Sequence, residues 1–192
     1  MITHIQGTLI EKTPTYVVID VNGVGYKIKI SLQTFSAIEG ELCKLFTHLS
    51  VKEDSHTLFG FFEESERHLF RNLISVSGVG PSTAQVILST FSPDEIIQHI
   101  TTADVAAVQS VKGIGAKTAQ RIIIDLKDKI HIESSLELDS SNQHPTIRQE
   151  TLYALEKLGF SIKKMKPIVD KITYENEDLS VEEVIKIALK TL

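Results

Sequence analysis

The chain has 192 residues, 42% of them hydrophobic, one cysteine, no tryptophan and a formal net charge of −5. That supports one large domain or two to three small ones; a lone thiol excludes an internal disulfide and points to a reducing, cytoplasmic setting. The first seven residues lack the basic and apolar stretches of a signal peptide, and no apolar run approaches the ~20 residues of a membrane span.

Residues 1–62, 63–134 and 135–192 carry five basic against six acidic, seven against nine, and eight against ten side chains. None is globally basic. This argues against binding to a polyanion through a bulk field, so any phosphate contact must be local.

The first 62 residues read as strands. Ile2 to Glu11 is followed by a turn signal at Pro14, then by Tyr16 to Val21. An Asn22-Gly23 turn leads into Tyr26 to Ile30, whose Tyr26/Ile28/Ile30 alternation turns one face inward. Leu42 to Val51 and Thr57 to Phe62 fit two further strands. Five short strands in about 60 residues suggest a small closed barrel such as an OB-fold. Tyr26, Phe59, Phe61 and Phe62 are expected mostly to alternate into a core. Cys43 sits in an apolar strand and reads as a small buried hydrophobe.

From Glu63 the period becomes helical, with Leu69, Phe70, Leu73 and Ile74 on one face. Ser92-Pro93-Asp94-Glu95 is a capping box with proline at the first helical position, and Thr101 and Asp104 repeat it more weakly. Residues 134–145 are polar and serine-rich and read as a flexible linker. Beyond them Ile147 to Leu158 is amphipathic and stopped by Gly159. Ser161 caps a second helix. Ser180 to Glu183 boxes a third, with Val184, Ile185, Ala188, Leu189 and Leu192 apolar.

The middle region contains an internal repeat. Ser75 to Ile87 aligns with Ser110 to Ile122 at a fixed offset, with Ser75/Ser110, Val76/Val111, Gly78/Gly113, Gly80/Gly115, Thr83/Thr118, Ala84/Ala119, Gln85/Gln120 and Ile87/Ile122 identical. Val79 faces Ile114. Each copy is a glycine-hydrophobe-glycine turn before a helix. The glycines permit positive φ and close approach of another backbone, while the hydrophobe plugs into the core. The unpaired N–H groups of the new helix, with its dipole behind them, suit a phosphate oxygen. Such contacts read backbone and not base sequence. In the second copy Ala116 and Thr118 flank Lys117, which with Arg121 adds charge. The first copy offers only Ser82 and Thr83 hydroxyls there, with Val86 opposite Arg121. Bulky replacements at Gly78 and Gly113 are expected to abolish binding while the fold survives.

These features resemble the RuvA family: the Gly7 and Gly23-Val24-Gly25-Tyr26 barrel signature, Lys52-Glu53-Asp54, Leu58-Phe59-Gly60-Phe61, Gly78-Val79-Gly80-Pro81 and Gly113 to Ala119. The likeness covers nearly the whole chain. It implies an α+β multidomain protein. An OB-fold barrel over 1–62 serves oligomerisation and carries an acidic pin. A tandem helix-hairpin-helix domain spans 63–133, a linker 134–145, and a three-helix UBA-like bundle 146–192.

The resemblance further implies sequence-independent binding of four-way (Holliday) junctions in DNA recombination, repair and the SOS response. It implies a homotetramer, or an octamer in which two tetramers sandwich the junction. Its phosphate sites fall on Gly78, Val79, Gly80, Ser82, Thr83, Gly113, Ile114, Gly115, Ala116, Lys117, Thr118 and Arg121. Its acidic pin falls on Glu53 and Asp54, which would repel phosphates at the crossover. The terminal bundle would dock on the RuvB ATPase through Leu155, Leu158, Phe160 and Leu189, with RuvC resolvase as a further partner. Ser82 and Ala116 stand where some members carry lysine, which should soften the salt dependence of binding.

No Walker A segment occurs, so ATP hydrolysis would belong to the partner and the chain itself is expected to be non-catalytic. No cofactor is implied. His4, His48, His56, His68, His99, His131 and His144 show no metal-ligand spacing. Two alternatives compete. A glycosylase-like repair enzyme would use Lys117, but needs a later carboxylate, and the stretch that follows holds only Glu133 and Glu137 in the linker. A single-strand binder would need stacking aromatics exposed on the barrel.

Overall fold

The computed structural model describes residues 1–138, 147–176 and 179–191, with the side chains of 128, 130–138, 163 and 175 outside that description. The chain forms two compact units, Met1–His131 and Ile132–Leu192.

The first unit opens with five strands: β1 (His4–Lys12), β2 (Tyr16–Val21), β3 (Val24–Ile30), β4 (Leu42–Val51) and β5 (His56–Phe61). They close in the order β1-β2-β3-β5-β4, with β1 pairing to both β2 and β4. All neighbours are antiparallel except β3 and β5. This is the five-stranded Greek-key closure of an OB-fold, which leaves no open edge. The β2–β3 turn has positive φ at both Asn22 (53°) and Gly23 (85°), the pairing a two-residue hairpin needs. Where β1 crosses β2, a Cβ on Gly7 would lie 2.1 Å from the carbonyl oxygen of Asp20, so only glycine fits.

The barrel interior is Ile5, Val17, Ile19, Ile28, Ile30, Ile38, Cys43 and Leu45. Cys43 is buried as expected, and that burial pushes its thiol pKa up. A short helix α1 (Leu32–Ala37), absent from the sequence reading, connects β3 to β4 and packs Phe35 against the barrel core. Its signal was the Ser31 N-cap, whose Oγ accepts from Thr34 N–H at 3.0 Å.

The aromatics of β5 go mostly into a core as expected, though not the barrel's own. Leu58 turns toward the barrel core, while Phe59 and Phe61 join the helical core on the other face. Phe70 receives both, with ring centroids 5.2 and 4.9 Å away, and His48 at 5.3 Å. Phe62 lies just past the strand and is exposed. Alternation sends Phe59 and Phe61 to one face of β5; it could not say that both faces of the strand are covered.

The helices of the first unit are α2 (Glu64–Ile74), α3 (Pro81–Thr90), α4 (Pro93–Thr101), α5 (Val105–Gln109) and α6 (Ala116–Leu138). The α4 capping box is formed by Ser92 and Glu95, and those hydrogen bonds hold the Glu95 carboxyl below its usual pKa. Asp104 caps α5 through Ala107 N–H at 3.0 Å. Thr101 is no cap: it ends α4 and donates to Ile97 O at 3.0 Å.

Helix α6 continues through residues 134–138, which the sequence reading assigned to the linker. No glycine or proline interrupts it, and Ser134 and Ser135 cost only roughly 0.5 kcal/mol each against alanine. The rest of the expected linker lies outside the described residues.

The second unit contains α7 (Ile147–Lys157), α8 (Ile162–Glu175) and α9 (Val181–Lys190). They pack around Leu152, Leu155, Met165, Val169, Ile172, Val184 and Ala188. Ser180 and Glu183 form the expected capping box on α9. Ser161 occupies the N-cap position of α8 without a side-chain cap bond. Ile185 packs on this core, Leu189 is exposed, and Leu192 falls outside the described residues.

Candidate nucleic-acid interface

The two repeat copies fold alike. In the first, α2 ends at Ser75, Val79 N–H donates to Val76 O at 3.0 Å, and Gly78 has φ 93°. In the second, α5 ends at Ser110, Ile114 N–H donates to Val111 O at 3.1 Å, and Gly113 has φ 91°. Val79 and Ile114 are buried in the same core, so each hydrophobe pins its turn from beneath. Ala84 N–H and Ala119 N–H make the first intrahelical bonds, to Gly80 O and Gly115 O, both at 3.0 Å. The N–H groups ahead of them have no helical acceptor.

The paired glycines do different work. Gly78 and Gly113 hold left-handed backbone, where a side chain is strained by roughly 1–2 kcal/mol. They are structural, and replacing them tests the fold as much as binding. The expectation that bulky residues there leave the fold intact did not count this strain. Gly80 and Gly115 lie outside that region, and a Cβ on either would meet nothing within 4 Å. The protein's own packing does not need glycine there.

The copies are unequal. The second exposes three unpaired helix amides, at Ala116, Lys117 and Thr118, beside exposed Lys117 and Arg121. The first exposes two, at Ser82 and Thr83, because Pro81 has no N–H. Lys112, also exposed, stands opposite Ser77 and was missed by the sequence reading, although the offset would have found it. The two turns are neighbours: a Cβ on Gly78 would lie 3.8 Å from Thr118 Oγ1.

Glu53 and Asp54 sit in the tight β4–β5 turn, where Lys52 N–H donates to Ser55 O at 2.8 Å. Both are exposed. Ser55 Oγ donates to Asp54 Oδ1 at 3.2 Å.

A buried polar joint fixes the barrel to α2, and sequence patterning gave no sign of it. Glu66 is 3% exposed. It accepts from Ser31 Oγ, and from Thr34 Oγ1 at 2.7 Å. Thr34 Oγ1 in turn accepts from Phe62 N–H at 3.0 Å. Burial pushes the Glu66 pKa up against the lowering effect of those two hydroxyls. Beside it, Arg67 donates to Thr3 O at 2.8 Å, pairs with Glu64, and lies 5.1 Å from the Phe46 ring centre.

Comparison with known proteins agrees with this architecture segment by segment. Residues 1–60 match the RuvA N terminal domain, 70–128 the SAM-like helix-hairpin-helix tandem, and 146–192 the RuvA C-terminal domain. Over their full lengths the chain is 54% identical to the Holliday junction branch migration complex subunit RuvA of Christiangramia forsetii and 52% identical to that of Flavobacterium psychrophilum. Identity is 43% to the protein of that name from Bacteroides thetaiotaomicron, again over both full lengths. The chain belongs to the RuvA family.

In this RuvA-family chain the four apolar residues singled out in the terminal bundle separate. Leu155 is core, 1% exposed, and cannot present its side chain to a partner. A helical stripe marks apolar positions without saying which side of it is covered. Phe160 is half-buried against the same core. Leu158 and Leu189 are exposed, at 60% and 39%. Tyr153, Tyr174 and Ile187 are also exposed and were not singled out. Among the described residues no three His, Cys, Asp or Glu side chains group to hold a metal, and no helix is long and apolar enough to cross a membrane.

Proposed function

We propose that this chain binds four-way (Holliday) DNA junctions independently of sequence and presents them to a RuvB-type ATPase motor for branch migration. It does so as a non-catalytic subunit, with ATP hydrolysis supplied by the motor. The observation that carries this is the pair of adjacent turns, each ending in a helix N-terminus kept open by Gly80 or Gly115. Each offers backbone amides and a positive dipole to one phosphate. Two such sites in one compact unit grip two points of a strand without touching a base.

Further elements of the reading follow from the family. Four copies would multiply weak contacts into firm binding that still permits sliding, as a tetramer or as two tetramers enclosing the junction. The exposed carboxylates of Glu53 and Asp54 would face the crossover and keep phosphates apart by repulsion. Leu158, Phe160 and Leu189 would form the docking surface for the motor. A cytoplasmic location, and a RuvC-type resolvase acting on the held junction, complete it.

A competition gel-shift tests the central claim. Unlabelled four-way junction should displace labelled junction far better than duplex or single strand of the same sequence. Equal competition by single strand would overturn it in favour of a barrel-face binder. Base release from damaged duplex would overturn it in favour of a glycosylase.

A further inference from the structure

Across the aligned windows 75–87 and 110–122, every difference in charge runs one way. Lys112, Lys117 and Arg121 in the second copy stand opposite Ser77, Ser82 and Val86 in the first. The first hairpin thus has no cation of its own and one fewer amide. Helix α6, however, runs beside it. Thr118, in the first turn of α6, lies near Gly78, and about three turns further on Lys129 Nζ donates to Ser75 Oγ at 3.0 Å. Ser75 opens the connection that leads to Gly80, and the Val79–Val76 hydrogen bond folds that connection into a single turn. An ammonium held at Ser75 therefore stands at the start of the connection whose far end carries the Ser82 and Thr83 amides. Lys129 is exposed and not drawn into the core.

We infer that Lys129 is the cation of the first hairpin, a DNA-contacting residue lent by α6 to the copy whose own sequence lacks one. The inference rests on the hairpin reading above. It makes the two sites interdependent: one helix supplies the amides of the second site from its start and the charge of the first site from its body. The same ammonium also faces the C-terminus of α2, where a cation complements the helix dipole. That purely structural role predicts a change in stability, whereas the DNA role predicts a change in salt dependence.

The test uses the full-length protein, a labelled four-way junction, and Lys129→Gln, Lys129→Arg and Lys117→Gln variants, titrated across a salt series with thermal melts alongside. Lys129→Gln should weaken junction binding about threefold to tenfold at ~0.1 M salt. It should also make the log affinity against log salt plot shallower by about one for each subunit on the DNA. Lys129→Arg should restore both, and the melting temperature should hold. If Lys129→Gln binds with the wild-type slope while Lys117→Gln weakens binding, the inference is overturned and the hairpin reading stands. If neither variant changes affinity or slope, the inference is overturned as well, and the hairpins bind through their amides alone.

Discussion

Replacing Gly115 by alanine separates the two roles that glycine plays in each hairpin. The backbone there is not left-handed, and the added methyl would meet no protein atom within 4 Å. The cost to folding is then that of alanine for glycine at a helix N-cap, about 1 kcal/mol or less. On the proposed function, a strand approaching the Ala116, Lys117 and Thr118 amides would meet that methyl. Keeping a phosphate oxygen from that site forfeits at least one hydrogen bond to a charged group, about 1.5–3 kcal/mol. That is roughly a tenfold to hundredfold loss of affinity. Gly113→Ala, two residues earlier, should instead cost about 1–2 kcal/mol of stability, because Gly113 has φ 91°. Fluorescence anisotropy on a labelled junction and thermal melts of both variants measure the two effects. Gly115→Ala with wild-type affinity and an intact fold would refute the placement of the phosphate, and equal destabilisation by both variants would refute the division of labour.

The buried joint predicts an unusual pH profile. Because burial raises the Glu66 pKa above its usual 4.5, the folded protein holds that proton more tightly than the unfolded chain. Its contribution to stability is fully present below the unfolded value and lost as pH rises through the folded one. Urea melts should show this decline in the wild type and its absence in Glu66→Gln; identical profiles would count against the assignment. Thr34→Val removes a donor to Glu66 and the acceptor of Phe62 N–H together, and should cost about 2–4 kcal/mol by the same melts. Leu155→Ala should destabilise the terminal unit by about 2–5 kcal/mol. Leu158→Ala should stay within roughly 0.5 kcal/mol in thermal melts, while lowering motor-driven branch migration in a strand-exchange assay.

Sequence alone determined what is written in short-range periodicity and in repetition. The Asn22-Gly23 hairpin, the alternation of Ile28 and Ile30, and the Ser92 and Ser180 capping boxes are local preferences of a few residues, and they formed where the pattern put them. The doubled glycine-hydrophobe-glycine turn was legible because two copies in one chain vouch for each other. Its left-handed Gly78 and Gly113 and buried Val79 and Ile114 follow from glycine's missing Cβ and from burial of the apolar residue between. Tertiary structure decided whatever depends on partners distant in sequence. Ser31, Thr34 and Glu66 look like three unrelated polar residues until α1 and α2 meet. Leu155 and Leu158 look alike until the bundle covers one and leaves the other in water. The different backbone of the two glycines in each pair, and the hydrogen bond from Lys129 to Ser75, also appear only in three dimensions. A linear pattern records which residues recur, and folding settles what stands in front of them.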